Sequence, residues 1–136
     1  MAGPILWSAF YSVGDSTLDD QHKQIIEMIN DVFTASEQGK GSEAVRAVLA
    51  RLCAYVEVHF AYEEQVMREN GFPELPQHRL LHDKLRQQTL NLVEEMDHLT
   101  SHSMLQFLKE WFVEHILNQD KKLARHLARV AQSLPA

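Results

Sequence analysis

The stretch that decides the fold runs from residue 59 to residue 82 and reads HFAYEEQVMRENGFPELPQHRLLH. It begins with His59 and Glu63 and ends with His78 and His82, so the members of each pair are four residues apart. On a helix this spacing places two side chains on one face, one turn apart. A glycine and two prolines between the pairs are typical of a turn. The stretch therefore predicts two helices joined by a turn, each with two candidate metal ligands.

Apolar residues at helical spacing extend this pattern in both directions. We predict a first helix from about residue 19 to 38, with Asp19 and Asp20 as N-cap and first-turn acids. A second helix runs from Ser42 to Gly71, a third from Pro76 to Leu99, and a fourth from the polar stretch at residues 100–103 to Asp120. Residues 1–17, which include Trp7, Phe10 and Tyr11, fit an extended arm folded over the helices with these aromatic side chains turned inward.

Four helices with short connectors predict an all-α fold, namely an antiparallel up-down-up-down four-helix bundle with an N-terminal extended arm. The basic, amphipathic tail is interpreted as a short C-terminal helix with a solvated face. A length of 136 residues favours one domain over residues 1–136. Within it we expect the arm at 1–17, the bundle at 18–120 and the tail at 121–136.

The predicted topology brings further candidate ligands to the same end of the bundle. His22 lies near the start of the first helix, and His115 and Asp120 lie at the end of the fourth. Buried polar groups without partners cost several kcal/mol, so their convergence favours metal coordination, with carboxylates bridging two ions about 3.5–4 Å apart. The candidate ligands are His22, His59, Glu63, His78, His82, His115 and Asp120.

The step from His115 to Asp120 does not fit a regular helix. Five residues correspond to about 500° of rotation, roughly 140° away from the same face. Asp120 can point inward only if the helix ends, tightens or bulges there.

Several other polar residues are interpreted as structural. Glu64 follows directly on a predicted ligand and is expected to be a surface or edge charge. His98 and His102 are predicted at the opposite end of the bundle, and His126 on the surface of the tail. Cys53 is interpreted as a buried structural thiol, and a lone cysteine excludes an intramolecular disulfide.

Composition excludes some classes of function. The net charge of −6 and the pI of about 5.7 argue against nucleic-acid binding. The apolar runs are far shorter than the roughly 20 residues that span a bilayer, so no membrane insertion by this chain is expected. The N-terminus lacks the features of a signal peptide, and the chain is therefore expected to be cytoplasmic.

The predicted ligand set favours some metals and reactions over others. Imidazole-rich sites with a few carboxylates suit iron, zinc or copper. The zinc peptidase motif HExxH is absent, because Arg79 stands where its general base would be. A histidine-rich set carries less negative charge than the four-carboxylate sites of diiron oxidases, which favours binding dioxygen over splitting it. The neighbours expected around the site are apolar and provide no proton donor: Ile25, Phe60, Trp111, Phe112 and Ile116.

Four motifs occur together in this chain and resemble those of hemerythrins, closest to the bacterial kind. They are LDDQHK at 18–23, HFAYEE at 59–64, HRLLH at 78–82 and HILNQDK at 115–121. The resemblance implies a four-helix bundle around two non-haem iron ions with an oxo or hydroxo bridge and dioxygen as ligand. It further implies that one iron is held by His78, His82 and His115 and the other by His22 and His59, with Glu63 and Asp120 bridging. The apolar neighbours named above correspond to the oxygen pocket.

The expected function is reversible dioxygen binding, for oxygen transport, storage or sensing, and not enzymatic turnover. One alternative is an oxygen- or redox-sensing domain from a larger chemotaxis-type receptor, fused to its signalling domains. A diiron enzyme acting on peroxide or nitric oxide is a weaker alternative, because no proton donor is evident near the predicted site.

Overall fold

Four consecutive helical segments form the bundle in the computed structural model, which describes residues 5–133 apart from the side chains of residues 115–117. The first three helices are α1 (Ser16–Glu37), α2 (Ser42–Glu69) and α3 (Leu75–Glu95). The fourth segment begins as α4 (Ser101–Glu110), continues as a π-helix (Trp111–Leu117) and ends as α5 (Asn118–Ser133). Residues 5–133 contain no strand, and the predicted all-α bundle is confirmed.

Contacts at the two ends of the bundle establish how the helices run. Helix α1 packs against α2 and α4, and α2 packs against α3. At one end, His22 near the start of α1 meets His59 near the end of α2, with their ring centroids 4.7 Å apart. At the other end, Ser36 in the last turn of α1 lies 2.7 Å from Ser101 at the start of α4, measured between the hydroxyl oxygens. Helix α1 therefore runs antiparallel to both α2 and α4.

Helix α1 begins at Ser16, before the start predicted from the sequence. Its N-cap is Asp15, which has extended backbone angles and accepts a hydrogen bond from the backbone N–H of Leu18 at 2.9 Å. The prediction of Asp19 or Asp20 as the cap is wrong, because the earlier aspartate already satisfies a free N–H group of the first turn.

Asp19 instead holds the N-terminal arm against the bundle. Its carboxylate accepts hydrogen bonds from the Ser12 hydroxyl at 2.5 Å and from the backbone N–H of Val13 at 2.9 Å. The arm is mostly extended, with one turn of 3-10 helix at Ala9–Tyr11 that the sequence did not predict. The expectation that all its aromatic residues fold inward is wrong for Phe10, which is 79% exposed. Residues 1–4 and 134–136 of the predicted arm and tail lie outside the described residues.

Two apolar clusters fill the bundle. The larger occupies most of its length and includes Ile25, Leu49 and Leu105. The smaller closes the end where the arm docks, and consists of Val13, Leu18, Val66, Met67, Phe72 and Leu123. On each helix the predicted ligands lie in sequence near the boundary between the two clusters, so apolar residues flank the site on both sides. Within residues 5–133, no helix is both long and apolar enough to cross a membrane.

Candidate metal centre

Six of the seven predicted ligands come together in one buried layer of the core. The most exposed of them is His78, at only 6%. The six are His22, His59, Glu63, His78, His82 and Asp120. The seventh, His115, belongs to the residues whose side chains are not described.

The Glu63 carboxylate lies between two groups of potential donor atoms. One oxygen, Oε1, is 2.7 Å from Nε2 of His78 and 3.0 Å from Nε2 of His82. The other, Oε2, is 3.4 Å from Nε2 of His59. Within each group the donor atoms lie within 4.8 Å of one another, and Glu63 belongs to both groups. A carboxylate shared in this way is suited to bridging two cations.

Asp120 has a similar two-sided arrangement. Its Oδ2 lies 3.1 Å from Nε2 of His22, and its Oδ1 lies 3.2 Å from Nε2 of His78. The two buried carboxylates therefore each face histidines on both sides of the layer.

The π-helix explains how Asp120 enters the core. A π-helical turn bonds residue i to residue i+5 and so contains more residues than an α-helical turn. The segment Trp111–Leu117 lies directly before Asn118, where regular α-helix resumes, and the Asp120 side chain is 2% exposed. The sequence allowed the fourth helix to end, tighten or bulge near Asp120, and the structure shows the bulge.

In two of the histidines, the ring nitrogen that points away from the centre of the site, here called the outer nitrogen, makes a hydrogen bond. Nδ1 of His59 donates a hydrogen bond to Oε1 of Gln21 at 2.8 Å. Nδ1 of His82 donates to Oε2 of Glu64 at 2.7 Å. An imidazole with its single proton on Nδ1 directs the lone pair of Nε2 toward the centre of the site. The interpretation of Glu64 as a surface or edge charge missed this contact, and nothing in the sequence singles out Gln21 beyond its place next to His22.

The same geometry tests whether the residues fit a metal. Burial lowers the pKa of His59 to about 3, so its ring is neutral near neutral pH and Nε2 is an acceptor. That nitrogen nevertheless faces another acceptor, Oε2 of Glu63, at 3.4 Å. Oε2 of Glu63 is buried and has no hydrogen-bond partner among the described groups. Acceptors directed at one another repel unless a cation lies between them, and imidazole with carboxylate is a donor set that suits iron.

Charge balance in the layer points the same way. Burial lowers the pKa of His78, but Asp120 and Glu63 outweigh burial and raise this pKa to about 10. Burial raises the pKa of Asp120, but hydrogen bonds from His22 and His78 outweigh it and lower this pKa below its usual range. The buried carboxylates of the layer thus need positive charge nearby. Without metal, a proton on His78 supplies that charge, and bound cations would take the place of the proton.

Apolar side chains surround the ligands. The ring of Phe112 meets His22 edge-on, with centroids 5.7 Å apart, and Phe60 stacks on His82 with centroids 3.8 Å apart. The Trp111 indole N–H donates to a backbone carbonyl at 3.2 Å, and Ile25 is fully buried. Ile116, the fifth predicted pocket residue, lies outside the described side chains. The assignment of these residues to an oxygen pocket stays a prediction.

The residues interpreted as structural lie outside this layer. His98 and His102 are exposed. His126 is not simply a surface residue, because it is half-buried and its Nε2 donates to the backbone carbonyl of Asn70 at 2.7 Å. Cys53 is partly buried, and burial raises the pKa of its thiol.

Known proteins resemble this chain in sequence and in fold. The pattern described as "Hemerythrin HHE cation binding domain" matches residues 13–127. The chain belongs to the hemerythrin family. The sequence-based recognition of a hemerythrin is therefore confirmed.

Individual hemerythrins show how far the similarity extends. A hemerythrin-like protein of Naegleria gruberi is 31% identical over 119 residues, covering 88% of this chain and 90% of the relative. A bacteriohemerythrin of Pseudomonas aeruginosa (strain LESB58) is 30% identical over 118 residues, covering 85% of this chain and 76% of the relative. The crystal structure of a wild-type hemerythrin superposes with a TM-score of 0.80 at 27% identity, covering 93% of this chain and 99% of that one. This family consists of oxygen binders rather than enzymes.

Proposed function

We propose that this hemerythrin binds dioxygen reversibly at a non-haem diiron centre. The observation that carries the proposal is the two-sided placement of Glu63, which directs one oxygen to His78 and His82 and the other to His59. One cation would not need a carboxylate that divides its oxygens between two groups of imidazoles. Membership of the hemerythrin family supports iron as the metal.

The proposed ligands divide between two positions. One iron would be held by His78, His82 and His115 and the other by His22 and His59, with Glu63 and Asp120 bridging the pair. When bound, the iron pair supplies the electrons that dioxygen takes up on binding and returns on release. The second position has fewer histidines, which leaves room there for a small ligand.

The residues around the site support binding rather than turnover. Phe112 lies edge-on to His22 at the position with fewer histidines, and both side chains are fully buried. A dry, apolar environment excludes water and provides no acid to protonate reduced oxygen. We therefore rank peroxide or nitric oxide turnover below reversible binding.

The proposed physiological role is oxygen transport, oxygen storage or sensing. A cytoplasmic, single-domain protein with this site would transport or store oxygen. The same site fused to receptor signalling domains would sense oxygen or redox state.

Metal analysis tests the diiron centre. Protein reconstituted anaerobically with ferrous iron is expected to retain two iron ions per chain after desalting. One zinc ion per chain and no retained iron would contradict the proposal.

A further inference from the structure

The outer hydrogen bonds of His82 and His59 differ in charge. Glu64 accepts from His82 through a carboxylate, whereas Gln21 accepts from His59 through a neutral amide. We infer that Glu64 and Gln21 are positioning residues that make the two metal positions electronically unequal, with His82 the stronger donor. This inference rests on the proposed diiron function.

The Glu64 side chain is mostly buried and is fixed in place by a second contact. Its side chain is 16% exposed, and Nε of Arg79 donates to its Oε1 at 3.1 Å. That bond leaves Oε2 to accept from Nδ1 of His82 at 2.7 Å, a short and charge-assisted hydrogen bond. Phe60 stacks on the imidazole with an interplanar angle of 10° and limits its rotation. These contacts therefore fix the orientation of the His82 ring and increase its electron density.

Gln21 supplies orientation alone. Its amide oxygen accepts from Nδ1 of His59 at 2.8 Å, so the ring is directed as firmly as that of His82. An amide carries no net charge, however, and hydrogen bonds between neutral groups are roughly half as strong as those to ionised partners. The two rings thus have the same tautomer, but the acceptor for His82 is charged and the acceptor for His59 is neutral.

This difference has a consequence for bound metal. A carboxylate that accepts from the outer nitrogen of a ligating histidine raises the basicity of that ligand. A more basic imidazole stabilises a ferric ion more than a ferrous ion, because the higher charge gains more from added electron density. The position that includes His82 should therefore be oxidised more easily than the position that includes His59.

Two charge-swapping variants test the inference. Glu64→Gln keeps an acceptor oxygen but removes the charge, and Gln21→Glu adds a charge behind His59. The first readout is Co²⁺ affinity of the metal-free protein, measured by the visible absorption of the bound ion. The second is the reduction potential of the iron-loaded protein, measured by spectroelectrochemistry. Glu57→Gln is the control. Glu57 lies on α2, as Glu64 does, but pairs with Arg86 at the protein surface.

We expect Glu64→Gln to weaken Co²⁺ binding at one position about 10-fold and to raise the reduction potential. Gln21→Glu should strengthen Co²⁺ binding and lower the potential, and Glu57→Gln should change neither. A role in shape alone would leave the potential unmoved in both charge variants, which would overturn the inference. Should Glu64→Gln fail to fold, Gln21→Glu tests the same claim. If the wild-type protein did not bind two Co²⁺ ions per chain, the proposed function itself would fail.

Discussion

Oδ1 of Asp120 lies 3.2 Å from Nε2 of His78, which joins the start of α5 to the first turns of α3. This contact depends on the π-helix at Trp111–Leu117, because a regular α-helix would turn Asp120 roughly 140° away from the face of His115. The irregular part of the fourth helix is therefore a component of the site. The contact also completes the layer, since the same carboxylate reaches His22.

Asp120→Asn should reduce retained iron from two ions per chain to one or fewer. The amide keeps the shape of the side chain but removes the charge shared by the two positions. Metal analysis after anaerobic reconstitution measures the loss. The matched control is Asp97→Asn, since Asp97 is half-exposed and pairs with Arg46 away from the site. Two tightly held irons in Asp120→Asn would show that this carboxylate is not a ligand.

Glu63→Ala should lose iron altogether, because it removes the carboxylate that faces both groups of histidines. The metal-free variant should remain helical, since it no longer buries the carboxylate oxygen Oε2, which has no hydrogen-bond partner among the described groups. Iron content and far-UV circular dichroism distinguish loss of the site from loss of the fold. His98→Ala should behave as the wild type, because His98 is exposed. Equal iron loss in both variants would refute the assignment.

Asp19→Ala should release the N-terminal arm. It removes two hydrogen-bond acceptors, for Ser12 and for Val13, and the expected loss of stability is about 1–2 kcal/mol. Urea unfolding measures this loss, and limited proteolysis should cut the arm faster. The neighbouring variant Asp20→Ala should be silent, because the Asp20 side chain is 77% exposed. Equal proteolysis of the two variants would contradict the role given to Asp19.

The stability of the metal-free protein should pass through a maximum near pH 6.5. His59 has an ordinary pKa of 6.5 when unfolded and about 3 when folded, so it contributes stability above pH 6.5 that is lost as the pH falls toward 3. His78 is raised to about 10, so its contribution is complete below pH 6.5 and is lost as the pH rises toward 10. Urea midpoints between pH 4 and 9 measure this profile.

His59→Gln is the control for the acid side of that profile. Without the buried neutral imidazole, the metal-free variant should lose less stability between pH 6.5 and 4 than the wild type. A wild-type midpoint that rises steadily from pH 4 to 9 would contradict the account.

Much of this structure follows from local patterns in the sequence. Four-residue spacings select Glu63 rather than Glu64 for the centre, and the antiparallel topology brings His22 to the same end as His78. The mismatch between His115 and Asp120 even indicates an irregularity in the fourth helix, although helical geometry alone did not distinguish an end, a tightening or a bulge.

Contacts between helices could not be predicted in this way. Glu64 reaches His82 on α3 and Gln21 of α1 reaches His59 on α2, and both contacts depend on how the helices are rotated against each other. The docking of the arm through Asp19 depends equally on tertiary structure. Helical spacing defines which side of a helix faces inward, but not which neighbour a partly buried side chain meets.

Repeated oxygenation of the iron-loaded protein tests the central claim most directly. Ferrous protein, prepared anaerobically, is mixed with dioxygen in a stopped-flow spectrometer and then flushed with inert gas. Reversible binding predicts a visible charge-transfer band that appears on mixing, disappears on flushing and returns over several cycles. Irreversible oxidation in the first cycle, without such a band, would contradict the claim.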